Sequence, residues 1–226
     1  MERDKSRAIT ARVVGFTIFF YIATSIAGTI VFARITEGEG IAGKLASIAE
    51  HSAQMDLSFL FAMLTIFEAL ILAVALYVLT RDEHADLALF ALMCRVVEGV
   101  LNAIPAIAML ALLSIALQAE TAASSDTAAL GTVGSFLLKL QGWSTTVSAP
   151  VFGVGSAIFY FLFARAGSIP RPLAWFGVLS SGLLVIAIPL EGVQIITGAL
   201  AFCVWLPSLL FELMFAPWLL IKGVRA

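Results

Sequence analysis

The sequence predicts an all-α polytopic membrane protein, a six-transmembrane-helix bundle with both termini cytoplasmic. Three observations lead there. Hydrophobic residues make up 61% of the 226-residue chain and charged residues 12%, against about 25% charged in an average globular protein. Mean hydropathy is +1.04, which leaves too little polar area to cover a soluble surface. Six apolar runs, each long enough to cross a hydrocarbon core about 30 Å thick, lie at about residues 11–34, 56–80, 86–118, 136–165, 173–196 and 199–222. Lys and Arg fall mostly in one set of connecting segments, which is the pattern of cytoplasmic loops.

Taken in order, Met1–Arg12 is a short basic segment ahead of the first span. The run Val13–Ala33 is longer than a secretory apolar region and lacks a small-residue cleavage site, so it is expected to stay as an anchor. A stripe of Thr17, Tyr21, Thr24 and Gly28 marks one face of that span. Gly38 and Gly40 break the chain, and Ile41, Leu45 and Ile48 then repeat at helical spacing. Two readings fit that repeat: a short helix lying on the membrane surface, or a loop helix touching the bundle. The second span carries Ser58, Thr65 and Glu68 on one side, and Arg81–Asp86 is a polar turn. The third span contains Arg95, Glu98, Asn102 and Pro105, and Glu120–Gly134 reads as a low-complexity loop. Gln141, Thr145 and Ser148 share a face of the fourth span. Gly167, Pro170, Arg171 and Pro172 form a turn into the fifth. Gly177 and Ser181, four apart, allow close helix contact. Glu191 lies near the far end of the fifth span, and the sixth carries Glu212, with Pro207 and Pro217 expected to interrupt it. With the N-terminus inside, Arg81, Arg165, Arg171, Lys222 and Arg225 are also inside, and only Arg34, Lys44 and Lys139 are outside. Residues 1–226 are expected to form a single integral membrane domain in the cell (inner) membrane.

The polar groups inside these spans are the candidate site. An Arg or Glu near the centre of a span is costly, at roughly 2.5–3.5 kcal/mol on translocon scales, so it must face protein or water. Arg95 and Glu98 are three apart and therefore share a helix face. At about 1.5 Å per residue from the cytoplasmic helix ends, Arg95 and Glu212 lie about 14–15 Å deep, and Glu68 and Glu98 about 18 Å deep. Glu68, Arg95, Glu98 and Glu212 are thus expected in one layer. Thr24, Asn102, Gln141 and Glu191 are secondary candidates, with Glu191 towards the outer side. Pro170 and Arg171 mark the cytoplasmic turn.

The sequence holds no GxSxG elbow or P-loop, and Ser144–Ser148 has no histidine partner. His51 and His84 fall near loops, on opposite sides by this topology, which argues against an intramembrane metal hydrolase. No catalytic residue, metal or cofactor is expected. The expected partners are the lipid bilayer and a small-molecule or ion ligand, without nucleic acid.

Four stretches carry a resemblance: Arg12–Gly15 (RVVG), Arg95–Glu98 (RVVE), Phe159–Gly177 (FYFLFARAGSIPRPLAWFG) and Pro207–Gly223 (PSLLFELMFAPWLLIKG). Together they resemble the uncharacterised bacterial multi-pass membrane-protein family catalogued as domain of unknown function 4386. The resemblance implies the fold and topology over nearly the whole chain and matches Arg95, Glu98, Pro170, Arg171, Trp175, Gly177, Glu212, Trp218, Lys222 and Gly223. It implies no activity. Glu68 rests on depth alone. The favoured functional reading is small-molecule or ion binding and transport through the Arg/Glu cluster. The alternative is a non-catalytic scaffold or regulatory subunit in which the cluster is a structural clasp, and an intramembrane enzyme ranks third.

Overall fold

A computed structural model describes residues 2–225, with the backbone alone for residues 2–4, 124 and 125. The described residues form seven α-helices: α1 (Glu2–Ile35), α2 (Gly40–Glu50), α3 (Ser52–Thr80), α4 (Ala85–Thr121), α5 (Ser124–Ala166), α6 (Arg171–Gly192) and α7 (Ala199–Ile221). All but α2 are long and apolar enough to cross a membrane. The helices divide between two compact units, and α1, α3, α4 and α5 contribute to both.

One unit comprises residues 22–66 and 101–145. Its core is Ile35, Leu45, Ile48, Met55, Met109, Leu112 and Ala116. Leu45 and Ile48 come from α2, so the apolar stripe of that helix is spent on protein contacts rather than on lipid. Helix α2 touches the bundle, as the second of its two readings expects. The low-complexity stretch expected as a loop is helical instead, because α4 continues to Thr121 and α5 begins at Ser124. Alanine has the best helix propensity, and Thr127 and Thr132 turn their hydroxyls back onto the carbonyls of Ala123 and Ala128. Gly131 and Gly134 lie so close to α2 that an added Cβ would be 3.3 Å from Ile41 and 3.2 Å from Leu45. The small residues that suggested a loop are what admits the α2 face.

The other unit comprises residues 1–21, 67–100 and 146–226. Helices here approach at glycine. A Cβ on Gly15 would lie 2.7 Å from the Ala216 carbonyl oxygen, bringing α1 to α7, and one on Gly153 would lie 2.8 Å from the Ser181 oxygen, bringing α5 to α6. Helix α6 stops at Gly192, short of the expected residue 196, and a turn with Gln194 at φ 63 and Gly198 at φ 62 leads into α7. Helix α7 is not interrupted at Pro207 or Pro217 and continues through both to Ile221. Each proline removes one donor, and neighbouring groups in a membrane bundle can satisfy the carbonyl left behind.

The polar turns of this unit gather at one end. Arg7 reaches Asp82 at 3.1 Å, Arg165 reaches Glu83 at 2.7 Å, and the Arg225 amide donates to the Ser168 carbonyl at 2.9 Å. Between α5 and α6, Gly167 takes φ 64, and the Ser168 amide donates back to the Phe163 carbonyl at 3.3 Å. That left-handed cap closes α5. Pro170, at φ −55, caps α6, and Arg171 stands exposed as its first residue.

Candidate functional site

The centre of the site is on α4. Arg95 and Glu98, each 3% exposed, share its inner face, while Met93, Val97 and Val100 turn outward. Arg95 Nη1 and Glu98 Oε2 approach to 2.9 Å, a contact ion pair whose angles fall short of a hydrogen bond. Both members are on one helix, so this pair neutralises charge within α4 but ties no two helices together. The link to α5 is different in kind: the Arg95 Cζ lies 4.4 Å from the centre of the Phe152 ring. A cation over an aromatic face in a desolvated place gains about 2 kcal/mol or more. One turn along α5, Gly155 makes the approach geometrically possible, since a Cβ there would be 2.9 Å from the Ala91 carbonyl oxygen and 3.3 Å from Arg95 Cγ. Arg95 Nε is buried without a hydrogen-bond partner.

Two further carboxyls come from other helices. Glu68 on α3 is buried, and Glu212 on α7 is partly buried. Beside Glu212, Phe211 lies 4.4 Å from the Tyr160 ring and 5.2 Å from Phe215, centre to centre. Gly177 of α6 lets these rings in, because its Cβ would meet Phe211 at 2.7 Å and Tyr160 at 2.8 Å. Tyr21 on α1 feels the charges of Glu98, Arg95, Glu212 and Glu68, and Arg95 feels those of Glu98, Tyr21, Tyr160 and Glu212. A direct contact joins Arg95 and Glu98, and Glu68 and Glu212 are within electrostatic reach of Tyr21. Tyr21 and Tyr160 complete the group and were not among the expected site residues. For Tyr21 the available signal was its position: tyrosine usually marks the membrane–water interface, and Tyr21 stands in the middle of its span.

Thr24, Asn102 and Gln141 belong to the other compact unit. Thr24 is buried there, and the Gln141 carbonyl accepts a hydrogen bond from Thr145 at 3.4 Å. Glu191 follows Gly177 by fourteen residues on α6, which is about 21 Å of helix. Pro170 and Arg171 are in the turn that begins α6, at the end where the polar segments gather.

The model of the family described as a domain of unknown function, DUF4386, matches residues 13–223. The chain belongs to this family. No curated protein and no solved structure matches it. The DUF4386 match runs through both compact units and includes Tyr21, Glu68, Arg95, Glu98, Tyr160 and Glu212. What the DUF4386 cluster offers chemically is an acidic excess: three carboxyls face one guanidinium, a formal −2 if all are ionised. Like charges in a dry layer repel strongly, so such a layer favours any positive species that enters it. Among the described residues no three His, Cys, Asp or Glu converge closely enough to hold a metal ion.

Proposed function

We propose that this DUF4386 protein is a carrier of the inner membrane, with both termini cytoplasmic, that binds a small cation at the Arg95–Glu cluster. The observation behind the reading is the buried Arg95–Glu98 pair, with the carboxyls of Glu68 on α3 and Glu212 on α7 within electrostatic reach of the same Tyr21. In this reading Arg95 and Glu98 form the fixed part, held by the Phe152 ring. Glu68 and Glu212, on separate helices, receive the ligand. Since no three His, Cys, Asp or Glu among the described residues converge as metal ligands, the ligand in this reading is a diffuse charge, such as an ammonium group or a weakly coordinated alkali ion.

Thermal unfolding of the purified protein in nanodiscs tests this, with lithium, sodium, potassium or ethylammonium chloride at constant ionic strength. A cation at about 100 times its Kd stabilises the folded state by about 2.7 kcal/mol. One probe should raise the midpoint of the unchanged protein above the other three. The Glu68→Gln/Glu212→Gln double variant should lose that difference. Four identical curves would rule out a selective cation site and leave the clasp, with α4 fastened to α5 through Arg95 and Phe152, as the role of the cluster.

A further inference from the structure

A groove of about 510 Å³ runs along the outside of α1 and α3. Its walls are Ile9, Thr10 and Val13 from α1, and Leu70, Ile71, Val74, Ala75 and Val78 from α3. Ile9, Val13, Ile71 and Val74 are 41–60% exposed, so the groove opens sideways into the hydrocarbon. It holds no ionisable group and lies apart from the Arg95 cluster.

The mouth of the groove is charged. Lys5 precedes Ile9 by four residues, and Arg81 follows Val78 by three, so each continues the groove-lining face of its helix or leads directly from it. Both are exposed. The Arg81 guanidinium is steadied over the Tyr77 ring at 5.9 Å. Beside them Arg7 bonds Asp82 at 3.1 Å and the Leu79 carbonyl at 3.4 Å, which ties α1 to the end of α3. Arg7 is thereby occupied, while Lys5 and Arg81 remain as cations at the level where α3 leaves the membrane.

We propose that this groove holds one acyl chain of an anionic phospholipid, whose phosphate sits between Lys5 and Arg81. An apolar trough that leads to two cations matches an apolar tail that leads to an anion. Lipid tails are as apolar as Val or Ile, so the trough selects by shape and close packing rather than by hydrophobic transfer. Preference among lipids then comes from the headgroup, at about 1 kcal/mol for each basic residue near the surface. That corresponds to about a five-fold change in affinity per cation.

Native mass spectrometry in detergent, with equal amounts of phosphatidylglycerol and phosphatidylcholine of the same chain length, tests the assignment. The unchanged protein should retain one phosphatidylglycerol in preference to phosphatidylcholine. Lys5→Gln/Arg81→Gln should reduce phosphatidylglycerol retention by more than ten-fold and leave phosphatidylcholine unchanged. Val74→Trp, at a position 53% exposed, should fill the trough without disturbing the core and lower retention of both lipids. Val74→Phe provides the same obstruction should the larger ring impair folding. Equal retention of the two lipids by the unchanged protein, or retention that survives both sets of substitutions, overturns the proposal.

Discussion

Arg95 has five N–H donors, pairs with Glu98 at 2.9 Å, and lies 3% exposed in a mostly apolar helix. Removing one member of a buried charged pair leaves the rest of the charge uncompensated, which costs about 3–5 kcal/mol. Arg95→Leu should therefore lower stability by that amount in denaturant unfolding in micelles. Glu98→Gln added to it should recover part of the loss, because one orphaned carboxylate disappears. A double variant whose loss equals the sum of the two single losses would mean that the residues do not interact. Phe152→Leu should also weaken the site, by about 2 kcal/mol, since it removes only the ring beneath the guanidinium. At this scale the sequence was informative for charge and uninformative for aromatics. Four ionisable residues in apolar runs can be counted and placed by depth. Among seventeen phenylalanines, nothing in spacing distinguishes Phe152, which packs on Arg95, from Phe161, which pairs with Trp175. That distinction is made by Gly155, whose missing side chain brings α5 onto α4.

The helices are held at defined separations by missing side chains as much as by present ones. Gly153 is the clearest case, because its Cβ would be 2.8 Å from the backbone oxygen of Ser181, which cannot rotate away. Gly153→Val should cost about 1–3 kcal/mol through overpacking, read as a lower unfolding midpoint. Gly182 is helical with open space around it, so Gly182→Ala should be neutral or raise the midpoint slightly. Equal loss at both positions would show that glycine acts here through helix propensity rather than through close packing. Span existence was legible because hydropathy and length set it. Helix ends were less so, because packing partners decide them. The stretch after Glu120 has the Ser, Thr and Gly content of a loop, yet Gly131 and Gly134 are helical where Ile41 and Leu45 pack against them. Conversely, α6 was expected to run to residue 196 on apolarity alone, and it ends at Gly192 where the backbone turns left-handed at Gln194.

For the whole molecule the decisive question is sidedness. Six spans place the first and last connecting segments on the same side, and the proposal that this side is cytoplasmic rests on the charge asymmetry. Within one compact unit, Arg7 meets Asp82, Arg165 meets Glu83, and the Arg225 amide meets Ser168. The segment before the first span, the 81–84 turn, the turn before α6 and the segment after α7 therefore share one end. That agrees with alternating spans and leaves only the choice of side to the Lys/Arg count. Single cysteines test it in a Cys94→Ala/Cys203→Ser background, using an impermeant maleimide on intact cells. His84 and Arg171 are exposed positions in the shared end, and Glu39 and Glu120 are exposed positions in the segments expected outside. Glu39→Cys and Glu120→Cys should label in intact cells, and His84→Cys and Arg171→Cys only after permeabilisation. The reverse pattern would keep the six spans and invert the protein. It would also move the Lys5–Arg81 mouth of the α1–α3 groove to the outer leaflet, away from the strongly anionic cytoplasmic surface. Labelling of His84→Cys and Arg171→Cys on opposite sides would break the six-span order itself, since two spans separate these turns and must return the chain to the side it left.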